Sequence, residues 1–343
     1  MPLTNVQIRP GFNKADTPSG AEGQWIDGDF VRFRYGQPEK IGGFTAIGQE
    51  TISGPTRAQH TWNDLEGRKY AALGTSKALY IYYEDKFYDI TPLETAITSA
   101  TFTSTSSSST VTVNKVSHGL DVGEYITFTS VTIPGTSSFV DTDFTSFTFE
   151  ILTVPDANSF TIEMQTTETG TPMSSTGSAS INPYEEIGPT IQTYGYGWGT
   201  DTWSSDKWGE GSLASTVILD PGSWSLDNFG EQLIATVKDG KTFVWDAGAT
   251  NPLDVRAVIM ANAPTATRLT ITSDRDRHVV HFGTETTIGD ATTQDPMFIR
   301  FSDQENYSVY QPTSVNTAGT FRLDTGNKIV AAVSGKDYNL ILT

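Results

Sequence analysis

The stretch from Gly230 to Asp246 constrains the fold of this chain more than any other part of the sequence. Residues 233–237 (LIATV) are apolar on both faces of an extended chain, apart from Thr236, and Asp239-Gly240 separates them from the β-rich residues 242–245 (TFVW). Asp-Gly between two such runs predicts a hairpin with a type I′ turn, in which both central residues have a positive φ. A first strand that is apolar on both faces is unusual, because one face of an antiparallel sheet is normally solvated. We therefore predict a hairpin that lies between two others.

Variants of this unit recur along the chain. Residues 70–75 lead into residues 79–83, and residues 278–282 lead, after a longer loop, into residues 297–301. Residues 338–342 form a further apolar strand, which we expect to lack its hairpin partner in this sequence. A single hairpin is marginal in water, so units of this kind need neighbours on both faces. The sequence therefore predicts an all-β fold of β-propeller-type blades, the last of them incomplete.

The composition limits the partners that the chain can have. Its 22 basic and 40 acidic residues give a formal net charge of −18. A protein that grips nucleic acid carries the opposite balance, because Lys and Arg neutralise the phosphates. The absence of cysteine excludes disulfides and thiolate ligands. No apolar run approaches the length needed to span a bilayer, so we expect no membrane insertion.

Residues 1–54 are predicted to be an N-terminal arm followed by the first strands. In residues 30–35 (FVRFRY), apolar side chains alternate with a face that carries Arg32 and Arg34. This pattern is typical of a half-exposed strand. It also leaves open a second interpretation, in which Arg32 and Arg34 contact an acidic partner.

Three segments carry a resemblance to a known family. They are residues 10–44 (PGFNKADTPSGAEGQWIDGDFVRFRYGQPEKIGGF), residues 230–248 (GEQLIATVKDGKTFVWDAG) and residues 273–312, from SDRDRHVVHF to SVYQP. All three resemble the tail nozzle (tail tubular) proteins of short-tailed, podovirus-type bacteriophages. Proteins of this family usually continue with more blades than this sequence has, so we expect the chain to extend beyond Thr343.

The resemblance implies a structural role in the virion tail, after synthesis in the cytoplasm of the bacterial host. It implies a homo-oligomer, a hexamer, that forms a ring around the DNA exit channel below the head–tail adaptor. The expected partners are the chain itself, the adaptor, the tail fibre proteins and viral DNA, which passes through the channel without specific binding. Arg32 and Arg34 would then be contacts to the adaptor, and we expect the lumen to be acidic or neutral.

The composition changes sharply near residue 97. Residues 98–110 are almost entirely Ser and Thr, and regular short β-rich runs follow up to residue 164. A pattern within this region, His-Gly-Leu followed by Gly-Glu-Tyr-Ile-Thr-Phe, resembles small β-domains inserted in phage tail proteins. We therefore predict that residues 97–182 form an inserted small β-barrel or sandwich domain, and that residues 55–96 and 183–343 form the propeller-like body.

Residues 194–211 are rich in glycine and aromatic residues and contain Trp198, Trp203 and Trp208. Tryptophan is enriched at protein interfaces, so these side chains are candidates for contacts with the body or with a neighbouring subunit. They could also stack on sugar rings. The sequence thus keeps an alternative function open, a carbohydrate-binding or receptor-recognising β-propeller tail protein.

The usual signatures of catalysis are missing. His278 and His281 are three residues apart, a spacing that points them to opposite faces of a strand. Residues 141–152 begin like a calcium loop but have Ser at the sixth position and Leu at the twelfth. Residues 274–277 (DRDR) alternate in sign and are typical of a solvated turn. We therefore predict a protein that is not an enzyme, without catalytic, cofactor-binding or metal-binding residues.

Overall fold

The computed structural model describes residues 8–43, 45–46, 51–189, 220–273 and 275–343. The chain divides into two compact units, Met1–Gln49 and Glu50–Thr343, which are described separately below. Strands account for 43% of the structure and helices for 4%. The prediction of an all-β fold is therefore confirmed.

The first unit contains two small two-stranded sheets. Strands β1 (Arg9–Phe12) and β2 (Gln24–Trp25) are parallel, and strands β3 (Val31–Arg34) and β4 (Gln37–Lys40) form an antiparallel hairpin. The ring of Phe33 lies 5.2 Å from the ring of Phe12 and 6.5 Å from that of Trp25. A few aromatic contacts thus hold this unit together.

The second unit begins with a four-stranded antiparallel meander, which we call blade 1. Its strands are β5 (Thr56–Asn63), β6 (Lys69–Thr75), β7 (Leu79–Tyr83) and β8 (Lys86–Asp89), in that order. Apolar residues alternate along β6 and β7, so that Tyr70, Ala72, Leu79 and Ile81 are buried on one face. This face packs against the next blade.

A curled seven-stranded antiparallel sheet, the inserted sheet, follows blade 1. Its elements are β9 (Ile97–Ser104), β10 (Thr110–Asn114), β11 (Tyr125–Thr132), helix α1 (Asp141–Thr145), β12 (Phe149–Glu150), β13 (Thr153–Asp156), β14 (Ser159–Glu163) and β15 (Thr176–Pro183). The strand order is β12-β11-β15-β9-β10-β14-β13. Its core, which includes Phe102, Phe128 and Phe144, draws only on residues between Ile97 and Ile181. The limits of the domain stay a prediction.

Two further blades and a hairpin follow. Blade 2 contains β16 (Trp224–Phe229), β17 (Gln232–Val237), β18 (Thr242–Asp246), a short 3-10 helix (Pro252–Asp254) and β19 (Val258–Ile259). Blade 3 contains β20 (Leu269–Thr272), β21 (Val279–Phe282), a 3-10 helix (Ala291–Thr293), β22 (Phe298–Phe301) and β23 (Gly319–Arg322). The final hairpin consists of β24 (Ala331–Ser334) and β25 (Asn339–Leu342). The first strands of successive units lie side by side, β16 between β5 and β20, and β20 next to β24.

Strand β17 is buried on both faces, as the sequence predicts. Leu233 and Ala235 pack into a core shared with blade 1, whereas Ile234 belongs to a core shared with blade 3. Blade 2 is therefore sandwiched between its neighbours, which is the arrangement of stacked propeller-type blades. The alternation of two apolar sets along one strand is what makes this possible, because successive side chains point to opposite faces.

The turn at the tip of this hairpin differs from the predicted type I′ turn. Asp239 has a positive φ of 58°, but Gly240 does not. The Gly240 N–H donates to Val237 O at 2.9 Å, and Gly240 O accepts from the Thr267 N–H at 3.0 Å. The bridge to Thr267 joins the turn to the segment that leads into blade 3, a contact that the local sequence of the hairpin does not specify.

The prediction that residues 338–342 lack a hairpin partner is wrong. Strand β25 pairs with β24, with Val333 opposite Leu340 and Ala331 opposite Leu342. The partner strand precedes it, and the Gly335 N–H closes the turn by donating to Tyr338 O at 2.8 Å. The short run of small β-compatible residues 331–334 (AAVS) gives a weaker strand signal than the apolar residues after it.

Candidate interaction surfaces

Arg32 and Arg34 lie on the exposed face of β3, and Val31 and Phe33 on its half-buried face. Arg32 is directly opposite Glu39 on β4 and donates to both carboxylate oxygens at 3.3 Å. The guanidinium of Arg34 lies 5.4 Å from the ring centroid of its neighbour Tyr35. The alternation of this strand is as predicted, and a contact of Arg32 and Arg34 with the adaptor stays a prediction.

The three predicted tryptophans, Trp198, Trp203 and Trp208, lie outside the described residues. The chain positions on either side of residues 190–219 are close together, since the Gly222 N–H donates to Pro189 O at 2.8 Å.

A cavity of about 480 Å³, the first-strand cavity, lies where blade 2, blade 3 and the start of the final hairpin meet. The carboxylate of Asp220 is its polar centre. An oxygen of that carboxylate accepts from Lys238 Nζ at 3.0 Å and from Arg268 Nη2 at 3.1 Å, and Lys328 Nζ lies 3.9 Å from it. Hydrogen bonds from Lys238 and Arg268 lower the pKa of Asp220 below its usual value. Leu269, Val330 and Ala332 are among the apolar residues of the wall.

Sequence reasoning missed this cluster of cations. The three cations and Asp220 come from four separate parts of the chain and form no motif. One signal was available, because Arg268 stands one residue before β20 and Lys328 three residues before β24, and both strands are the first of their unit. An alignment of the blade sequences with that of the final hairpin would have placed Arg268 and Lys328 near each other.

A polar junction around Arg256 joins the inserted sheet to two blades. The guanidinium of Arg256 donates to Asp89 Oδ2 at 3.0 Å, to Tyr184 Oη at 3.0 Å and to the backbone oxygen of Thr91 at 2.9 Å. The Tyr184 hydroxyl also donates to Asp89 and contacts the hydroxyl of Thr148 at 2.9 Å. Burial, together with the Asp89 charge, raises the pKa of Tyr184 far above its ordinary value. Residues of blade 1, the inserted sheet and blade 2 are thereby fixed to one another.

Two further ion pairs support this junction. Lys77 of blade 1 pairs with Glu150 of the inserted sheet at 2.6 Å, and its ammonium lies 4.9 Å from the ring centroid of Tyr125. Lys241 of blade 2 pairs with Glu185, just beyond β15, at 2.7 Å. The inserted sheet is therefore held at several separate points.

An aromatic cavity of about 290 Å³ lies next to the Arg256 junction. Its walls include the rings of Tyr80, Phe87, Tyr125 and Tyr184. Asp89 and Thr148 add polar groups to the lining. Aromatic walls with a few placed polar groups are typical of small-ligand sites.

One face of the final hairpin exposes large apolar side chains. Val333, Leu340 and Leu342 are 61%, 54% and 53% exposed. Ala332 and Ile341, on the opposite face, pack against blade 3. We call the surface formed by Val333, Leu340 and Leu342 the exposed hairpin face. Contiguous apolar residues on a surface mark sites of interaction or of aggregation.

The two histidines of blade 3 contact polar groups within the fold. The ring of His278 contacts Ser302 O at 2.8 Å, and that of His281 contacts the Thr270 hydroxyl at 3.1 Å. Burial, with a smaller contribution from the Arg300 charge, lowers the pKa of His281 to about 3. In the described ranges no group of three His, Asp or Glu side chains could hold a metal ion. The same ranges contain no helix that is long and apolar enough to cross a membrane.

These features describe an all-β protein of stacked four-stranded blades that carries an inserted seven-stranded sheet. No protein-family model and no curated protein sequence matches the chain. Among solved structures, a phage phi92 endosialidase matches with a TM-score of 0.27 and 13% sequence identity, over 89% of this chain and 43% of that protein. The chain thus spans less than half the length of that protein, and the TM-score is too low to support an argument about fold or function.

Proposed function

We propose that this chain is a structural subunit of the tail of a short-tailed bacteriophage, a nozzle subunit whose copies form a ring around the DNA exit channel. The observation that carries the proposal is the stack of four-stranded blades, in which β16 lies between β5 and β20 and β20 lies next to β24. In such an assembly the exposed hairpin face would be buried against further protein. The resemblance of residues 10–44, 230–248 and 273–312 to tail nozzle proteins supports the same assignment. A homo-oligomer, a hexamer, is the assembly that this function requires.

The charge of the chain fits passage of DNA rather than binding. Each phosphate that Lys or Arg neutralises adds salt-dependent affinity, and a ring repeats every such contact in each copy. With 22 basic against 40 acidic residues, the chain has few cations to form such contacts. A channel built from this subunit would let duplex DNA slide through it, and the head–tail adaptor and tail fibre proteins would be its neighbours in the virion.

The first test is the oligomeric state of a variant in which Val333→Asp and Leu340→Asp are combined. Two carboxylates on the exposed hairpin face would have to be buried in the interface, which is unfavourable without partners. We expect the unaltered protein to sediment as six copies of the 37.3 kDa chain and the variant to sediment as smaller species.

Val315→Asp is the matched control, because Val315 is 93% exposed and belongs to the loop between β22 and β23, not to the hairpin. It should leave the assembly unchanged. An unaltered protein that remains monomeric at all concentrations would contradict the proposal, as would a double variant that assembles normally.

The aromatic cavity favours a second candidate function, the recognition of a host-surface carbohydrate. Its rings offer apolar faces to a sugar, and the polar groups beside them are Asp89 and Thr148, which already contact Tyr184. Glycan-array binding that is lost in Phe87→Ala and kept in Tyr338→Ala, whose exposed ring is not part of the cavity lining, would support this function. The absence of binding to any glycan on the array would exclude carbohydrate recognition at this cavity.

A further inference from the structure

The first-strand cavity concentrates positive charge in a strongly acidic protein. Lys238, Arg268 and Lys328 line it together with one carboxylate, that of Asp220, so the lining side chains carry a surplus of two positive charges. Asp239, outside the lining, takes a second contact from Arg268 at 3.3 Å. Among the described residues, the carboxylates of Asp220 and Asp239 are therefore the ones that pair with these three cations.

The geometry of the cluster is that of an anion site. The cationic groups of Lys238, Arg268 and Lys328 reach the Asp220 carboxylate from three different units of the fold, at 3.0, 3.1 and 3.9 Å. The side chains of Arg268 and Lys238 are only 15% and 20% exposed, so water screens them less than surface cations. Arg and Lys around an oxyanion form charge-assisted hydrogen bonds, which are the strong ones.

The cavity has room for a ligand beside Asp220. A volume of about 480 Å³ lies within the usual size range of small-molecule pockets, roughly 300–1,000 Å³. Leu269, Val330 and Ala332 contribute apolar surface to the same lining. The same volume is too small to admit a nucleic-acid duplex, so the site is compatible with DNA that passes through a channel without being held.

We propose that the first-strand cavity binds a small phosphate-bearing ligand. The phosphate oxygens would take hydrogen bonds from Arg268, Lys238 and Lys328, and a dianion would balance the surplus charge of the lining. Any organic part of the ligand would lie against Leu269 and Val330. This site goes beyond the proposed tail function and does not depend on it.

Calorimetric titration of the whole protein with inorganic phosphate, pyrophosphate and adenosine monophosphate tests the proposal. We expect saturable binding of at least one of them. Combining Lys238→Gln with Lys328→Gln should weaken it at least about tenfold, because two charge-assisted contacts are lost. Lys336→Gln, which alters an exposed lysine outside the cavity, should leave the affinity unchanged.

Tighter binding of adenosine monophosphate than of inorganic phosphate would identify a phosphate ester as the ligand, and the reverse would identify a free phosphate.

A second variant tests the proposal by an expected gain of affinity, where the lysine variants test it by a loss. Asp220→Asn removes the internal carboxylate that competes with the ligand, so it should raise the affinity for the anion several-fold. Circular dichroism checks that each variant is folded. The proposal is overturned if neither the unaltered protein nor Asp220→Asn binds any of the three anions, or if the double lysine variant binds them as tightly as the unaltered protein.

Discussion

Glu168 of the inserted sheet is a fully buried carboxylate whose partners are neutral donors. It accepts hydrogen bonds from the hydroxyls of Ser104, Ser137 and Ser138, at 3.1, 2.6 and 2.8 Å, and from the N–H groups of Ser138 and Gly170, at 2.8 and 2.9 Å. Burial alone would raise its pKa, but the donors of Ser137 and Ser138 outweigh burial and lower the pKa to about 2. The sheet is therefore stabilised by a charged group at its interior.

Glu168→Gln should destabilise the inserted sheet by about 1–3 kcal/mol at pH 7, because the amide NH₂ would face N–H donors in place of an acceptor. The folded-state pKa of Glu168 lies below its usual value, so its contribution is complete above about pH 4.5 and fades as pH falls towards 2. Urea unfolding at pH 7 and pH 3 should show the difference between the two proteins shrinking at the lower pH. Glu163→Gln, on the exposed surface of β14, is the control and should change the free energy of unfolding little. If the difference in stability between Glu168→Gln and the unaltered protein is the same at pH 7 and pH 3, the ionised Glu168 does not stabilise the sheet.

At the scale of elements, the Arg256 junction fixes the inserted sheet to the blades. Arg256→Met removes three hydrogen bonds and leaves Asp89 with its charge unpaired in a partly buried site. We expect a loss of stability of about 1–3 kcal/mol and faster hydrogen exchange of the Glu94 and Glu185 amides, which link the two parts of the chain. Arg256→Lys should recover little of the stability that Arg256→Met loses, because an ammonium group cannot make the planar set of contacts that a guanidinium makes.

The control for this experiment is Arg277→Met. Arg277 pairs with Glu305 at 3.2 Å, but both side chains are largely exposed, and an exposed pair contributes little. If Arg277→Met and Arg256→Met accelerate exchange at Glu94 and Glu185 equally, the junction has no special role in holding the inserted sheet.

Elements with strong local signals could be predicted from the sequence. The two apolar sets on residues 233–237 are sufficient to place that strand between two sheets, and β6, β7, β21 and β22 fall close to their predicted positions. The turn at Asp239 and the partner of β25 were wrong, because each depends on pairing that local composition encodes weakly. The turn makes a contact with Thr267 that local sequence does not encode, and the partner of β25 was missed because residues 331–334 give a weak strand signal.

The candidate sites were far less predictable than the elements. Arg256 meets Asp89 and Tyr184 across 167 and 72 positions of sequence, and the cations around Asp220 are just as dispersed. Such clusters follow from how the blades stack, which a single sequence does not reveal without alignment of its repeated units. Arg32 and Arg34 were visible beforehand only because their strand alternates locally.

For the whole molecule, the proposed function requires that several copies assemble into a ring. In the proposed ring, the excess of 18 negative charges would disfavour binding of DNA phosphates, and the exposed hairpin face would be buried. In a closed ring each interface is repeated, so the number of copies is fixed by the angle between neighbours. The proposed hexamer is therefore a geometric property that imaging can count.

Negative-stain electron microscopy of the purified protein would show whether its copies form a ring. We expect rings with six-fold symmetry in the class averages, each with a central opening wide enough for duplex DNA. The variant with Val333→Asp and Leu340→Asp should yield no rings under the same conditions. Isolated single subunits, or closed particles without an opening, would contradict the proposal that this chain encircles the DNA exit channel.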